Sequence, residues 1–143
     1  MGNTFAGELP KFGVRVLLAE DNTVNQTVAR RQLEKLGCFV DVAGNGKQAL
    51  EKYKSNVYEI IFMDCQMPEM DGFEATARIR NLPATREKPI IIALTANSMS
   101  GDRDRCIASG MNDYLSKPYD FDTLIAILMR HLTPVSAGSI RKQ

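Results

Sequence analysis

Three kinds of polar group follow four apolar runs that lie far apart in the chain. Glu20 and Asp21 follow residues 14–19, Asp64 follows 60–63, Thr95 follows 90–94, and Lys117 follows Tyr114–Leu115. Three carboxylates brought to one place repel and raise one another's pKa. A divalent cation removes that conflict, and Mg²⁺ prefers hard oxygen ligands while keeping some waters or phosphate oxygens. A hydroxyl (Thr95) and a compact ammonium (Lys117) both suit a phosphate oxygen. The set as a whole fits phosphoryl transfer to a carboxylate with Mg²⁺ assistance. Asp64 is then the candidate nucleophile, with Glu20 and Asp21 on the metal. One acid at a helix start is an ordinary cap, but capping alone does not call for acids after two separate strands. A lone Lys commonly faces solvent. Here Pro118 follows it, and a cis Lys117–Pro118 bond would turn the chain and aim the ammonium inward.

Such a convergence needs elements that carry these residues to one rim. Five short apolar runs predict buried strands at Val14–Ala19, Phe39–Ala43, Ile60–Met63, Ile90–Leu94 and Tyr114–Leu115. The first, third and fourth are almost continuously apolar, as strands covered on both faces are. Helical stretches separate them. Residues 23–36 carry Val28, Ala29, Leu33 and Leu36 on one arc and stop at Gly37. Shorter helices are predicted over 46–54, 72–81 and 102–109. Phe121, Leu124, Ile125, Leu128 and Leu132 mark an amphipathic last helix. Five strand–helix alternations predict an α/β fold, a doubly wound five-stranded parallel sheet in the flavodoxin-like order 2-1-3-4-5 with helices on both faces. Its switch point lies between strands 1 and 3, beyond whose carboxyl ends ligands bind.

Composition agrees with a single globular domain. Of 143 residues, 44% are hydrophobic and 24% charged. A net charge of +1 argues against a nucleic-acid binder that works through bulk positive charge. No apolar run approaches the roughly 18 residues of a membrane span, and no leader opens the chain. Cys38, Cys65 and Cys106 form no CxxC pair and His131 is the sole His, so a zinc site is not expected. Lone thiols in apolar surroundings suit a reducing, cytoplasmic setting. Residues 1–12 read as a flexible lead-in or cloning remnant, 13–132 as the domain, and 133–143 as a flexible tail or linker.

The segments LLAEDN (17–22), FMDCQMPEMDGFEATARIR (62–80), IIALTAN (91–97) and GMNDYLSKPYD (110–120) resemble the receiver domain of two-component response regulators. The resemblance runs from about Val14 to Leu132. It implies that Asp64 accepts a phosphoryl group from a phosphohistidine donor. It further implies that Glu20, Asp21, Asp64 and the backbone carbonyl of Gln66 ligate Mg²⁺, with Mn²⁺ as a substitute. Thr95 and Lys117 would bind phosphoryl oxygens, and Tyr114 takes the aromatic switch position beside Thr95. Gln66 and Asn97 stand where the family tunes dephosphorylation; both are neutral amides, which implies a slow-to-moderate off rate. The wording of AEDNxxNQ, MDCQMPEMDG and ALTANSMSGDRDRC is most similar to receivers of hybrid sensor histidine kinases. That context implies a histidine kinase or phosphohistidine donor as one partner and a His-containing phosphotransfer domain as another. The module itself would be a monomer without membrane or nucleic-acid contact, and not an enzyme beyond assisting its own phosphorylation and dephosphorylation.

Other features carry less. Residues 41–48 lack the first Gly and the final Ser/Thr of a Walker loop, so Gly44-Asn45-Gly46-Lys47 reads as a turn. Asp102-Arg103-Asp104 falls at a helix start, where acids are commonplace. An aspartyl-nucleophile phosphatase would need an acid two residues after Asp64, where Gln66 stands. A stand-alone regulator remains the alternative to a kinase-attached one.

Overall fold

The computed structural model describes residues 9–83, 88–96 and 100–135, with side chains from 103 onward in the last segment. The elements alternate as β1 (Arg15–Ala19), α1 (Thr23–Lys35), β2 (Phe39–Ala43), α2 (Gly46–Ser55), β3 (Ile60–Asp64), α3 (Gly72–Arg80), β4 (Ile90–Thr95), α4 (Ser100–Ser109), β5 (Asp113–Ser116) and α5 (Phe121–His131). All pairings are parallel, in the order β2-β1-β3-β4-β5, as the alternation predicts.

The central strands β1, β3 and β4 are apolar because both their faces are covered. One face packs Leu17, Ile61, Met63 and Ile91 against α2 and α3 residues such as Leu50 and Ile79. The other packs Leu18, Phe62, Ile92 and Leu94 against Leu33 of α1 and Leu124 and Leu128 of α5. Alternate residues of each strand therefore serve opposite layers. Asn22, Asn45, Asp71 and Asp120 cap α1, α2, α3 and α5, each side chain accepting a backbone N–H three residues on. With Asn45 as the cap, Gly44–Asn45 turn the chain into α2, whose first residues are Gly46 and Lys47. Gly37 ends the α1 region at φ +76°, a conformation that favours glycine.

Several details differ from the sequence expectations. Asp64 and Thr95 are the last residues of their strands rather than the first beyond them. Within α1, Ala29 and Leu33 are buried and Leu36 closes the stripe, but Val28 is 52% exposed because it lies at the edge of the arc. The packed unit also reaches into both expected end segments. Phe12 is buried and its N–H donates to the Leu36 carbonyl, while the Val135 N–H donates to the Lys11 carbonyl. A phenyl ring at the foot of β1 has apolar area to hide, and the α1–α5 layer supplies the cover. Asn97 and Met99 lie outside the described residues, as does the Asp102 side chain.

Two polar clusters fix the edge that carries β5. Arg80, at the end of α3, donates to the Gly110 and Pro89 carbonyls and to Asn112 Oδ1. Asn112 Oδ1 also accepts the Ile91 N–H. Asp113 opens β5; its Oδ2 accepts from Arg130 Nη1 at 2.7 Å and from His131 Nε2 at 2.8 Å. Burial pushes the Asp113 carboxyl up, but hydrogen bonds from His131, the Tyr114 N–H and Arg130, with the Arg130 charge, together hold it below the usual carboxylate range.

Replacing Arg80 with Ala removes three hydrogen bonds at once, two of them to the Gly110 and Pro89 carbonyls, and is expected to destabilise the fold by about 2–3 kcal/mol, read from urea unfolding. A carboxyl whose pKa is lowered by folding stabilises the fold above its unfolded pKa and loses that contribution as pH falls through the folded value. Asp113→Asn is therefore expected to lower stability near neutrality and to flatten the acid limb through and below the ordinary carboxylate range, measured by thermal melts across pH.

Candidate functional site

The site lies at the carboxyl ends of β1, β3, β4 and β5. Ala19 pairs with Met63, Asp64 with Leu94, and Thr95 with Ser116. Register thus sets Glu20 beside Asp64, with Thr95 and Lys117 at the same level. The Glu20 N–H bonds the Ala43 carbonyl, the Cys65 N–H the Leu94 carbonyl, and the Lys117 N–H the Thr95 carbonyl, so each strand is held one residue past its end.

Lys117 Nζ lies 3.0 Å from Glu20 Oε1 and 2.9 Å from Asp64 Oδ2. Glu20 and Asp64 are 2% and 5% exposed, so this ammonium serves carboxylates with little access to water. The remaining oxygens meet backbone donors: Glu20 Oε2 accepts the Asn22 N–H at 3.1 Å, and Asp64 Oδ1 the Gln66 N–H at 3.0 Å. Gln26 Nε2 donates to the Glu20 carbonyl at 2.6 Å and holds the turn from below. Burial pulls the Lys117 pKa down, but its hydrogen bonds and charge interactions with Asp64 and Glu20 outweigh that and leave it above the ordinary lysine value. The Lys117–Pro118 bond is cis.

Asp21 completes the acidic cluster. Glu20, Asp21 and Asp64 each offer an oxygen, and those atoms lie within 4.8 Å of one another. Asp21 is exposed, and among the described residues its carboxylate accepts no hydrogen bond. Three carboxylates against one ammonium leave two negative charges uncompensated, the charge of one divalent cation. Thr95 is buried, 3% exposed, at the end of β4. Tyr114 is half-buried on β5 and packs against the core cluster that includes Cys106 of α4, with the Arg103 guanidinium 5.8 Å from its ring centroid.

Two clefts open on the cluster. One, of about 460 Å³, is lined by Asp21, Gln66, Asp71, Phe73, Thr95 and Arg105 among others. The second, of about 420 Å³, is lined by Glu20, Val28, Lys117, Pro118 and Tyr119 among others. Arg105 and Phe73 have no place in the sequence reading. They come from α4 and α3, 32 positions apart, and no spacing rule joins them. The closest signal for the Gln26 bond is its place in AEDNxxNQ. Gly72 also supports the site: a Cβ there would collide with the Asp64 carbonyl oxygen, so the start of α3 packs directly on the end of β3. Sequence reasoning thus assembled Glu20, Asp21, Asp64 and Lys117 into one cluster with Thr95 at its rim, and the coordinates bring all five there.

Comparison with known proteins agrees with this geometry. Residues 16–129 match the response regulator receiver domain family. Hybrid signal transduction histidine kinase B of Dictyostelium discoideum is 46% identical over 129 residues, 82% of this chain and 7% of that protein. Histidine protein kinase 1 of Candida albicans is 39% identical over 138 residues, 90% of this chain and 6% of that protein. The chain therefore spans less than a tenth of the length of these relatives. Among solved structures, the receiver domain of a Pseudomonas aeruginosa sensor histidine kinase, with magnesium coordinated in its active-site cleft, superposes with a TM-score of 0.76. It is 45% identical and covers 83% of this chain and 97% of its own. A Saccharomyces cerevisiae receiver domain, crystallised with the histidine phosphotransfer signalling protein upstream of it, gives a TM-score of 0.78 at 32% identity, covering 87% of this chain and 91% of its own. With its sheet order, its acidic rim and its family match in agreement, the chain belongs to the response regulator receiver domain family.

Proposed function

We propose that Asp64 takes a phosphoryl group from a phosphohistidine donor and that the α4–β5–α5 face reads out the result. The observation that carries this is the Lys117 bridge to Glu20 and Asp64, with Asp21 and Thr95 on the same rim. The hard oxygen donors and their two uncompensated charges fit Mg²⁺, held by Glu20, Asp21, Asp64 and the Gln66 carbonyl, with Mn²⁺ as a substitute. When bound, the cation supplies positive charge against the phosphoryl oxygens.

The chain's own residues do the rest. An Asp64 carboxylate oxygen bonds to phosphorus, the P–N bond to the donor imidazole breaks, and its electron pair leaves with the imidazole. Lys117 turns from bridging two carboxylates to holding a phosphoryl oxygen, and Thr95 donates its hydroxyl to another. Drawing Thr95 toward the phosphoryl group vacates space for Tyr114 to turn inward, so the β5 face shifts between two pre-existing populations. Gln66 and Asn97, both amides, provide no strong general base, and the aspartyl phosphate is lost at a slow-to-moderate rate. Gln66 also stands where an aspartyl phosphatase would carry its proton donor, so the adduct persists as a signal. As an isolated domain the chain acts only on its own phosphorylation and dephosphorylation.

The similarity to kinase-attached receivers supports a place in a hybrid sensor histidine kinase. There the domain, residues 13–132 with the packed residues 9–12 and 133–135, would receive from a kinase phosphohistidine and pass to a His-containing phosphotransfer domain. It would work on the cytoplasmic side as a monomer. No helix among the described residues is long and apolar enough to cross a membrane.

Incubation with acetyl phosphate and Mg²⁺, followed by intact mass, tests the reading. Wild type should gain one phosphoryl mass and Asp64→Ala none, while Lys117→Ala should label about 100-fold more slowly. The adduct should outlast donor removal, and alanine at Gln66 and Asn97 should change its decay. Labelling that survives in Asp64→Ala, or phosphate release without a lasting adduct, contradicts the proposal.

A further inference from the structure

We infer that Arg105 is a donor-specificity residue, which binds the anionic part of a phosphoryl donor that leaves when the phosphoryl group moves to Asp64. The inference rests on the phosphoacceptor reading above. Arg105 projects from α4 so that its guanidinium carbon lies 4.1 Å from the Phe73 ring centroid on α3. Both side chains line the cleft that also presents Asp21, Gln66 and Thr95. Lys117 lines the other cleft, with Glu20. Among the described residues lining the first cleft, Arg105 is the one cation, and the carboxylates Asp21 and Asp71 belong to the same lining.

Arg105 makes no ion pair among the described residues. Its neighbours Arg103 and Cys106 turn elsewhere, toward Tyr114 and into the core. Stacking on Phe73 therefore holds the guanidinium plane without neutralising its charge, and the N–H fork stays available to an incoming anion. An in-line displacement at phosphorus puts the departing group on the side away from the attacking carboxylate. Asp64 is buried, its Oδ1 accepts the Gln66 N–H, and Gln66, Cys65 and Thr95 line this first cleft, so the departing group is directed there. With acetyl phosphate, the new P–O bond forms to an Asp64 oxygen. The P–O bond to the acyl group breaks, and acetate leaves with the electron pair and no proton transfer. Acetate is a carboxylate, the group an arginine fork matches in two-pronged fashion. Phosphoramidate reacts as the form whose nitrogen already carries three protons, so the P–N bond breaks, neutral ammonia leaves with the electron pair, and the fork is offered no anion.

The test compares second-order rate constants for the two donors, measured by intact mass with Mg²⁺ on wild type, R105Q and R105K, alongside thermal melts. R105Q is expected to slow acetyl phosphate about 5- to 10-fold and phosphoramidate less than twofold, with R105K recovering part of the difference. Raising ionic strength toward about 1 M should shrink the wild-type advantage. Arg105 acting only as a tie between α3 and α4 would lower the melting temperature and slow both donors alike. That pattern, or unchanged rates in R105Q while wild type labels normally, overturns the inference alone. Failure of wild type to label with either donor overturns the phosphoacceptor reading and this inference with it.

Discussion

Glu20 and Asp64 share one ammonium in a setting nearly closed to water, and the site is organised around that pairing. A carboxylate moved from water into a protein interior costs several kcal/mol unless an opposite charge and hydrogen bonds replace the lost solvent. Lys117 supplies the charge, and the backbone N–H groups of Asn22 and Gln66 supply the rest. Asp21, left without a hydrogen-bond partner among the described residues, keeps the cluster two negative charges from balance. A site arranged in this way is held together and still two negative charges from balance, which is what the proposed cation and phosphoryl chemistry would use.

The parallel sheet is what makes the pairing possible. Lys117 and Glu20 are 97 positions apart, yet the parallel register brings both to one level beside Asp64. Because Lys117 is continuous with β5, any change in what its ammonium binds acts on the strand that carries Tyr114 and Asp113. Asp113 is in turn tied to the last turn of α5 through Arg130 and His131. Charge at Asp64 and shape on the β5–α5 face are therefore linked through a single four-residue strand. That connection supports a readout on this face, as opposed to the distant β2 edge.

How much could be read beforehand follows from the kind of signal each feature leaves. Continuous Val, Ile and Leu runs made β1, β3 and β4 plain, because only strands covered on both faces are built that way. Strand order then put Glu20, Asp21 and Asp64 at one rim, since residues just past a parallel strand have one place to go. Features that depend on contacts between layers left no such trace. Phe12 looks like part of a mixed leader, and nothing in its neighbours says that α1 and α5 leave a gap for a phenyl ring. Val28 lies at the edge of the helical arc, where periodicity alone does not decide burial, and it stays exposed, lining the second cleft. The stack of Arg105 on Phe73 joins two helices that no periodicity relates.

The most direct measurement is a structure of the chain with Mg²⁺ and beryllofluoride, which mimics a phosphoryl group on a carboxylate. The account predicts beryllium on an Asp64 oxygen, fluorine atoms within hydrogen-bond reach of Lys117 Nζ and Thr95 Oγ1, and the metal held between Asp21 and Asp64. Beryllofluoride bound elsewhere, or Lys117 still bridging Glu20 and Asp64 beside a bare Asp64 carboxylate, would contradict it.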